Sequence, residues 1–467
     1  MTQRVYIKTV GCQMNVLDSE MVIADLKRHG YTVVDSPEEA DCVLYNTCSV
    51  REHAEEKVYS ALGKIRLSKD KNPEKTIGVM GCMAQKDQEL IFKRAPYVDL
   101  VVGPGQLHTI PDLLDKVSRG EGRQMAVSLS RKDDKQAVVA RSHETFDPLR
   151  DPAMRPTPFQ AYLRIQIGCD KFCTYCVVPN TRGPEQGRHP EQIVSEARVL
   201  AEQGCREITL LGQTVNSYKH TADGNTTDMS ALLEMLHEID GIDRLKFVTN
   251  YPKDMTERLL VTVRDLPKVS PYLHVPAQSG SDDVLKRMKR GYTIADYMEM
   301  FERIERILPN AAVSSDFIVG FCGETDEDFE KSVALVERCR FKNSFIFQYS
   351  VRPGTKASER FEDDVPREVK AERNHRLLDV QNRIAKEENA KLVGQDVQVL
   401  VEGPSKKATD PDAAVVQMTG RTHCDRIVVF DGNKRQAGQL LDVHVDDVSS
   451  HTLIGRVKTV DVVTIGL

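Results

Sequence analysis

The stretch "QIGCDKFCTYCVVPNTRG", residues 166–183, contains three cysteines at C-x₃-C-x₂-C spacing: Cys169, Cys173 and Cys176. The next cysteine, Cys205, follows only after a predicted helix. Thiolate-rich sites select zinc or iron–sulfur clusters. A structural zinc site is normally closed by four ligands, so three local thiolates favour an iron–sulfur cluster with one iron open for a small molecule. The alternative is a zinc knuckle with a distant fourth ligand.

The composition predicts a soluble protein of several domains. A length of 467 residues suggests two to four domains, and 40% hydrophobic and 29% charged residues are typical of globular chains. No apolar run reaches the roughly 18 residues of a membrane span, and the opening MTQRVYIKTVGC predicts a strand instead of a signal peptide. We therefore expect a cytoplasmic location, where eleven cysteines favour metal binding or catalysis over disulfides. A net charge of −6 neither indicates nor excludes a nucleic-acid partner.

Two successive α/β regions and a β-module are predicted along the chain. Residues 1–118 alternate short apolar runs with helical patterns, which predicts an N-terminal doubly wound parallel sheet. Residues 119–158 are polar and proline-bearing, as expected of a linker. A second alternation over residues 159–385 predicts six βα units, a partial (β/α)6 barrel with the cysteine loop at the C-terminal rim of its first strand. Short strands with turn signals over residues 386–461 predict a small all-β barrel.

Three further cysteines each follow a predicted strand of the N-terminal domain. Cys12 follows VYIKTVG, Cys48 follows DCVLYNT and Cys82 follows TIGVMG, and a helical pattern comes after each of them. Strand-to-helix junctions of a parallel sheet lie on one edge, so these thiols can converge although they are distant in sequence. A helix N-terminus also lowers a thiol pKa and so favours ligation. The alternative is three buried structural cysteines.

The cysteine loop resembles the one that radical S-adenosylmethionine enzymes share. It has their C-x₃-C-x₂-C spacing, an aromatic residue, Tyr175, before the last cysteine, and a place after the first strand of a partial barrel. In that superfamily a 4Fe-4S cluster on the three cysteines leaves one iron open to chelate S-adenosylmethionine, which is then split to a 5′-deoxyadenosyl radical. The resemblance implies the same cluster and the same cosubstrate in this chain.

The whole chain resembles the methylthiotransferase family of these enzymes. The similarity is carried in the N-terminal region by KTVGCQMNVLDSE, YNTCSVREHAEEKV and GCMAQ, and in the barrel by VVPNTRGPEQGR, LLGQTVNSY, PAQSGSDDVLKRMKRGYT, SSDFIVGF and VRPGTKA. It ends with TGRTHCDRIVVF, which is similar to the RNA-binding TRAM domain of the family. The resemblance implies a second 4Fe-4S cluster on Cys12, Cys48 and Cys82, which would carry the sulfur.

Two runs are similar to the tRNA branch of that family: Gln13-Met14-Asn15 and Ser49-Val50-Arg51-Glu52. That branch converts N6-isopentenyladenosine next to the anticodon to its 2-methylthio derivative. The resemblance implies two S-adenosylmethionine per product, one to methylate the sulfur and one for the radical that abstracts hydrogen from adenine C2. No classical acid–base residue is expected, because the cluster and cosubstrate carry the hard step. The implied partners are the tRNA anticodon stem-loop, a low-potential electron donor such as a flavodoxin or ferredoxin, and a sulfur source.

Polar residues at the ends of the remaining barrel strands are predicted to bind the cofactor, and a turn or cap role is the alternative for each. These residues are Gln213, Asn216, Gln278, Ser279, Asp316 and Arg352. His274, on an apolar strand, is predicted to be a hydrogen-bonded core histidine. RNA binding is predicted for cations of the C-terminal module, namely Lys406, Lys407, Arg421, Arg426, Lys434 and Arg435. Interleaved aspartates keep the local positive excess small, so a solvated surface is the alternative.

Two other functions stay open on the sequence. The first keeps the chemistry and changes the target to threonylcarbamoyl-adenosine in tRNA or to an aspartate of a ribosomal protein, and the Gln-Met-Asn run argues against both. The second is a zinc-stabilised RNA-binding scaffold without catalysis. Metal content separates the scaffold from the enzyme, because the scaffold would hold one or two zinc ions and the enzyme several irons with sulfide.

Overall fold

In the computed structural model the chain consists of two units. The first consists of Met1–Asp240 with Ser350–Phe361, and the second of Gly241–Tyr349 with Glu362–Leu467. The residues that the structure describes are 3–49, 52–127, 155, 157–222, 224–406, 408 and 413–458. Most of the predicted linker and the candidate Lys407 therefore lie outside the described residues. None of the described helices is long and apolar enough to cross a membrane.

The first unit begins with a parallel sheet that has a hydrophobic cluster on each face. Along one strand, Val43 and Tyr45 pack into one cluster with helix Glu52–Lys71, while Cys42 and Leu44 enter the other. The strands in sheet order are Thr32–Val33, Arg4–Val10, Cys42–Thr47, Thr76–Gly81, Leu100–Val102 and Gln124–Ala126. The helices are Gln13–Arg28, Glu52–Lys71, Cys82–Asp87, Glu89–Arg94 and Ile110–Ser118. The predicted doubly wound parallel sheet is confirmed.

One helix of this region differs from its sequence pattern. The stretch AQKDQELIFKRA has the pattern of a single helix, but the chain forms two short helices that meet at Gln88. Gln88 has φ +45°, in a region that disfavours side chains with a Cβ. The bend lets Met83 from the first helix and both Ile91 and Phe92 from the second enter the same hydrophobic cluster. Tertiary packing therefore overrides the local helical pattern here.

The rest of the first unit contains the first two strands of the predicted barrel. Gln160–Arg164 pairs in parallel with Glu207–Leu211, and helix Pro190–Glu202 connects them. A hairpin of Lys219–Ala222 and Asn225–Asp228 follows, which the sequence analysis did not predict. The remaining short elements are the strands Gln166–Ile167 and Gln186–Gly187 and the helices Val178–Thr181, Met229–His237 and Lys356–Arg360.

The second unit contains the other four barrel strands. Tyr272–His274, Ala312–Val319 and Asn343–Gln348 form a parallel sheet, and Arg244–Phe247 precedes them. One face of this sheet packs on helices, since Ser344 hydrogen-bonds Gln381 of the long helix. On the same face Phe317 contacts Phe341, which in turn contacts Phe301 of helix Ile294–Ile307. The helices are Glu257–Asp265, Asp282–Met288, Ile294–Ile307, Asp326–Cys339 and Arg367–Ala390. All six predicted barrel strands are present.

The C-terminal module is a closed five-stranded barrel. Alternate residues of its strands form a separate hydrophobic core that includes Val401, Met418 and Phe430. Its strands are Asp396–Pro404, Val416–Thr422, Ile427–Gly432, Leu440–Val448 and Thr452–Val457. The predicted all-β barrel is confirmed.

Candidate metal centres

The three N-terminal cysteines follow strands that end level with one another. Val10 pairs with Thr47, and Thr47 pairs in turn with Gly81, so three adjacent strands finish at one edge of the sheet. Cys48 directly follows Thr47, and Cys82 directly follows Gly81. Cys12 forms the N-cap of helix Gln13–Arg28. Neighbouring strands are about 4.8 Å apart. The structure therefore brings the predicted ligands together at the sheet edge.

A buried amide network supports this edge. The side chain of Asn15 donates a 3.0 Å hydrogen bond to Oδ1 of Asn46, and the amide nitrogen of Asn46 donates to the Asn15 carbonyl at 2.7 Å. Oδ1 of Asn15 also lies 3.3 Å from the Sγ of Cys12. A Cβ on Gly81, which has φ +95°, would lie 2.4 Å from Oδ1 of Asn46. The asparagine of the Gln13-Met14-Asn15 run thus positions the first cysteine.

The electrostatics differ between these thiols. A hydrogen bond from Cys48 lowers the pKa of Cys12 to about 6, and the charge of Arg182 adds to this effect against the opposing effect of burial. Burial raises the pKa of the Cys82 thiol, although Arg182 again acts in the opposite direction. Thiolates are the form that ligates iron. Three close thiols with one already thiolate-prone are a donor set that fits an iron–sulfur cluster.

The C-x₃-C-x₂-C loop begins where the first barrel strands end, as predicted. Cys169 is buried, whereas Cys173 and Cys176 are half-buried, and the backbone N–H of Cys176 donates to the Cys173 carbonyl at 3.1 Å. Burial raises the pKa of Cys169 to about 11. Three thiols on one loop, two of them partly open to solvent, fit a cluster with one accessible iron. Nowhere in the described ranges are three His, Cys, Asp or Glu side chains spaced for a single metal ion.

The segment Arg182–Gly183 contacts both sets of cysteines. The Gly183 carbonyl accepts a 3.2 Å hydrogen bond from the backbone N–H of Cys169. The guanidinium of Arg182 donates to the Sγ of Cys82 at 3.2 Å and to the carboxylate of Asp18 at 2.6 Å. Neither Arg182 nor Asp18 is among the site residues predicted from the sequence. The available signal was that each lies in a motif stretch, VVPNTRGPEQGR and KTVGCQMNVLDSE.

The predicted cofactor residues of the first unit follow strand Glu207–Leu211 or lie in Ser350–Phe361. Gln213 is half-buried and Asn216 is buried in a single turn of 3₁₀ helix. Arg352 is half-buried, and its carbonyl accepts from the hydroxyl of Thr355 at 2.7 Å. Thr355 is the N-cap of helix Lys356–Arg360, so the Arg352 backbone lies in the turn that starts this helix.

The predicted cofactor residues of the second unit lie around the strand Ala312–Val319. Gln278 has φ +72°, and its N–H donates to the Asp316 carbonyl at 2.8 Å. Ser279 is buried, and its hydroxyl accepts from the Ser281 N–H at 3.2 Å, which is a turn contact. The carboxylate of Asp316 lies 3.4 Å from Nε2 of His274. The structure thus brings Gln278 and Asp316 together through their backbones.

His274 and Phe345 line the sheet face opposite the helices. His274 is buried and exchanges a 2.9 Å hydrogen bond with the hydroxyl of Ser314, which agrees with its prediction as a hydrogen-bonded core histidine. The ring of Phe345 contacts the His274 imidazole edge-to-face at 6.3 Å and remains 48% exposed. Phe345 pairs in register with Asp316, so the two residues share this face. An exposed aromatic ring beside a carboxylate and an imidazole suits a polar, planar ligand.

The cations predicted to bind RNA fall into two groups. Lys406, Lys434 and Arg435 are exposed. Arg421 donates to Glu402 at 3.0 Å and to Asp425 at 3.1 Å, while Arg426 hydrogen-bonds Asn389 of the long helix. The second group therefore already takes part in contacts inside the second unit.

Comparison with known proteins identifies the family. Consecutive parts of the chain match the uncharacterized protein family UPF0004 at residues 4–103, the Radical SAM superfamily at 163–336 and the TRAM domain at 390–458. The tRNA-2-methylthio-N(6)-dimethylallyladenosine synthase of Rhodopirellula baltica is 80% identical over 469 residues, which cover 100% of this chain and 98% of that protein. The chain belongs to the tRNA-2-methylthio-N6-dimethylallyladenosine synthase family.

A second relative extends this family assignment. The synthase of the same name from Janthinobacterium is 44% identical over 462 residues, which cover 98% of this chain and 99% of that protein. The predicted resemblance to the methylthiotransferases, and to their tRNA branch, is confirmed. The chain is an enzyme of the radical SAM superfamily, and the names of its relatives favour this function over the other two targets and over the zinc scaffold.

The fold is shared with solved structures of other proteins. The radical S-adenosylmethionine methyltransferase TsrM from Kitasatospora setae, solved with cobalamin and a [4Fe-4S] cluster, aligns with a TM-score of 0.56 at 14% identity. The alignment covers 77% of this chain and 74% of TsrM. At this identity the comparison shows a shared fold alone. The shared fold agrees with the predicted α/β class of this chain.

Proposed function

We propose that this enzyme converts N6-isopentenyladenosine next to the anticodon of tRNA to its 2-methylthio derivative, in the cytoplasm. The observation that carries the proposal is the convergence of Cys12, Cys48 and Cys82 at level strand ends, in the same unit as the C-x₃-C-x₂-C loop. Relatives named for this synthase at 80% and 44% identity over the full chain support it.

We assign one 4Fe-4S cluster to each set of three cysteines. When bound, the two clusters and two molecules of S-adenosylmethionine supply the radical and the methylthio group. The chain's own residues hold and orient these groups: the N-cap position fixes Cys12, and the amide of Asn15 lies against its sulfur. The tight packing of Gly168 on the Pro184 carbonyl fixes the start of the other loop.

Polar residues at the barrel strand ends are proposed to bind S-adenosylmethionine. We assign S-adenosylmethionine contacts to Gln213, Asn216, Gln278, Ser279, Asp316 and Arg352. Asp316 is the member whose carboxylate is partly exposed beside an imidazole, so it can accept hydrogen bonds from a ligand amine or hydroxyl. The buried hydroxyl of Ser279 also accepts a hydrogen bond from the Ser281 N–H, which fixes the turn beside the proposed contact.

The RNA partner is assigned to the C-terminal barrel. We propose phosphate contacts for Lys406, Lys407, Arg421, Arg426, Lys434 and Arg435. The main contributors in this scheme are Lys434 and Arg435, because both are exposed and follow each other at one end of the barrel. The reaction also requires a low-potential electron donor such as a flavodoxin or ferredoxin, and a sulfur source. Both would act in the same compartment as the tRNA.

An anaerobic assay tests the proposed reaction. Cluster-reconstituted protein receives S-adenosylmethionine, a reductant and an isopentenyladenosine-containing anticodon stem-loop, and the digested nucleosides are analysed by mass spectrometry. We expect a 2-methylthio product in the wild type and none in Cys48→Ala or Cys173→Ala. Cys424→Ser is the matched control, because Cys424 is half-buried in the C-terminal barrel and belongs to neither set.

The products distinguish the alternatives. Formation of 5′-deoxyadenosine without a modified base would leave a radical enzyme with another substrate. Neither product, in protein with a full iron load, would refute the catalytic function. A methylthio product that persists in Cys48→Ala would remove the N-terminal thiols from the reaction.

A further inference from the structure

Arg182 is a buried arginine that joins two distant parts of the first unit. Its Nη2 donates to Oδ2 of Asp18 at 2.6 Å, and its Nε donates to the Sγ of Cys82 at 3.2 Å, across 164 and 100 positions of sequence. The side chains of Arg182 and Asp18 are 2% and 0% exposed. A buried ion pair is costly to form unless its remaining hydrogen-bonding atoms find partners. The second partner of this arginine is a thiol sulfur that belongs to a proposed cluster.

The backbone beside Arg182 fixes its position. The carbonyl of the next residue, Gly183, accepts the 3.2 Å hydrogen bond from the Cys169 N–H at the start of the C-x₃-C-x₂-C loop. A Cβ on Gly168 would lie 2.6 Å from the same carbonyl oxygen, so the two segments pack without a gap. Any movement of Arg182 away from Cys82 would therefore disturb the loop that carries Cys169.

We propose that Arg182, held by Asp18, is a positioning residue that orients Cys82 and raises the reduction potential of the N-terminal cluster. This inference rests on the proposed function, because it requires a cluster on Cys12, Cys48 and Cys82. Hydrogen bonds to the sulfurs of a cluster, and positive charge near it, favour the more negatively charged reduced form. The same contacts couple the two cysteine sites, because one segment, Arg182–Gly183, contacts both.

The test uses the full chain with only the N-terminal cluster. In the background Cys169→Ala/Cys173→Ala/Cys176→Ala, every iron signal comes from that cluster. EPR-monitored redox titration gives its midpoint potential, and iron retained against a chelator gives its stability. We expect Arg182→Gln to lower the potential and to weaken iron retention about 10-fold, the lower limit for removing an outer-shell partner. Arg188→Gln is the matched control, since Arg188 is equally buried and pairs with Glu196.

A second variant separates tuning from misfolding. Asp18→Leu/Arg182→Met replaces both buried charges with apolar groups of similar size, which proteins often tolerate better than the loss of one partner. We expect it to fold, as judged by its circular dichroism and gel-filtration profile, and to show the same lowered potential. A potential equal to that of Arg188→Gln in both Arg182 variants would overturn the inference. If the background variant binds no iron at all, the assignment of the N-terminal cluster fails, and the inference fails with it.

Discussion

Lys246 donates a 3.1 Å hydrogen bond from Nζ to Oδ1 of Asp425, which joins a barrel strand to a turn of the C-terminal β-barrel within the second unit. Lys342 also pairs with this carboxylate at 3.3 Å, as does Arg421 at 3.1 Å. Asp425 has φ +63°, so the turn holds its carboxylate between these cations at some conformational cost. One acidic residue therefore connects the C-terminal barrel to the sheet that precedes it.

Replacing Asp425 should remove a pH-dependent part of the stability. Burial alone would raise the pKa of Asp425, but the charges of Lys246, Lys342 and Arg421 outweigh it and lower the pKa to about 2. Because the folded pKa lies below the unfolded value of 3.8, the stabilisation is complete above about pH 4 and is lost as the pH falls towards 2. We expect Asp425→Asn to lower the free energy of unfolding by about 2 kcal/mol at pH 7.

Urea unfolding of the apo-protein at several pH values measures this effect. The difference between the wild type and Asp425→Asn should shrink between about pH 4 and pH 2. Asp431→Asn is the control, because Asp431 is an exposed carboxylate on a neighbouring strand of the same barrel. A difference that stays constant over this pH range would show that packing, and not charge, is responsible.

The exposed cations of the C-terminal barrel should determine the salt dependence of tRNA binding. Neutralising each phosphate contact changes the slope of log K against log salt by roughly 0.7 to 0.9. If Lys434 and Arg435 each contact a phosphate, Lys434→Ala/Arg435→Ala should reduce the slope by about 1.5. Arg421→Ala provides the comparison, since its guanidinium already pairs with Glu402 and Asp425.

Filter binding of the anticodon stem-loop across a salt series distinguishes these residues. We expect Arg421→Ala to reduce the slope by less than the double variant does and to lower thermal stability, because this guanidinium also pairs with Glu402 and Asp425. An unchanged slope in Arg421→Ala would remove the proposed phosphate contact of that arginine. An unchanged slope in the double variant would remove Lys434 and Arg435 from the interface.

Iron content should divide between the two cysteine sets. Each set is expected to hold about four irons, so replacing either set with alanine should leave about half of the iron of the reconstituted wild type. Cys42→Ala and Cys205→Ala are the controls. Burial raises the pKa of Cys42 far above its usual range, and the thiol of Cys205 donates to the Glu207 carbonyl at 3.2 Å. A full loss of iron on replacing Cys12, Cys48 and Cys82 would indicate that this set organises the other.

Sequence reasoning predicted the elements that depend on local patterns. Alternating strands and helices were sufficient to predict the parallel sheet. The strand-to-helix junctions were sufficient to place Cys12, Cys48 and Cys82 at one edge, because parallel strands have their equivalent ends on the same side. Alternation and turn residues were likewise sufficient for the C-terminal barrel.

The contacts between side chains that are distant in sequence could not be predicted from local patterns. Nothing in the spacing of Asp18 and Arg182 indicates that they pair, because a side-chain partner depends on how two segments pack and not on periodicity. Arg421 shows the same limit, since its place in a β-module does not indicate that its guanidinium pairs with Glu402 and Asp425. The break at Gln88 depends on packing in the same way.

Gly168→Ala, which adds a single methyl group, should disrupt the C-x₃-C-x₂-C loop. Gly168 has φ +75°, and a Cβ there would lie 1.9 Å from the Pro184 carbonyl oxygen. Since a backbone atom cannot move as easily as a flexible side chain, Gly168→Ala must displace either Cys169 or the segment that contains Arg182. We expect about half of the iron to be lost, with cleavage of S-adenosylmethionine abolished.

Gly204→Ala separates the effect of the clash from the effect of backbone strain. Gly204 has φ +84° in the same unit, but no described atom lies within 4 Å of the position that a Cβ would take there. The alanine should therefore cost only about 1 kcal/mol of stability and leave the iron content unchanged. If both variants lose iron equally, backbone strain alone explains the effect, and the close packing of Gly168 on Pro184 has no specific role in holding the cluster.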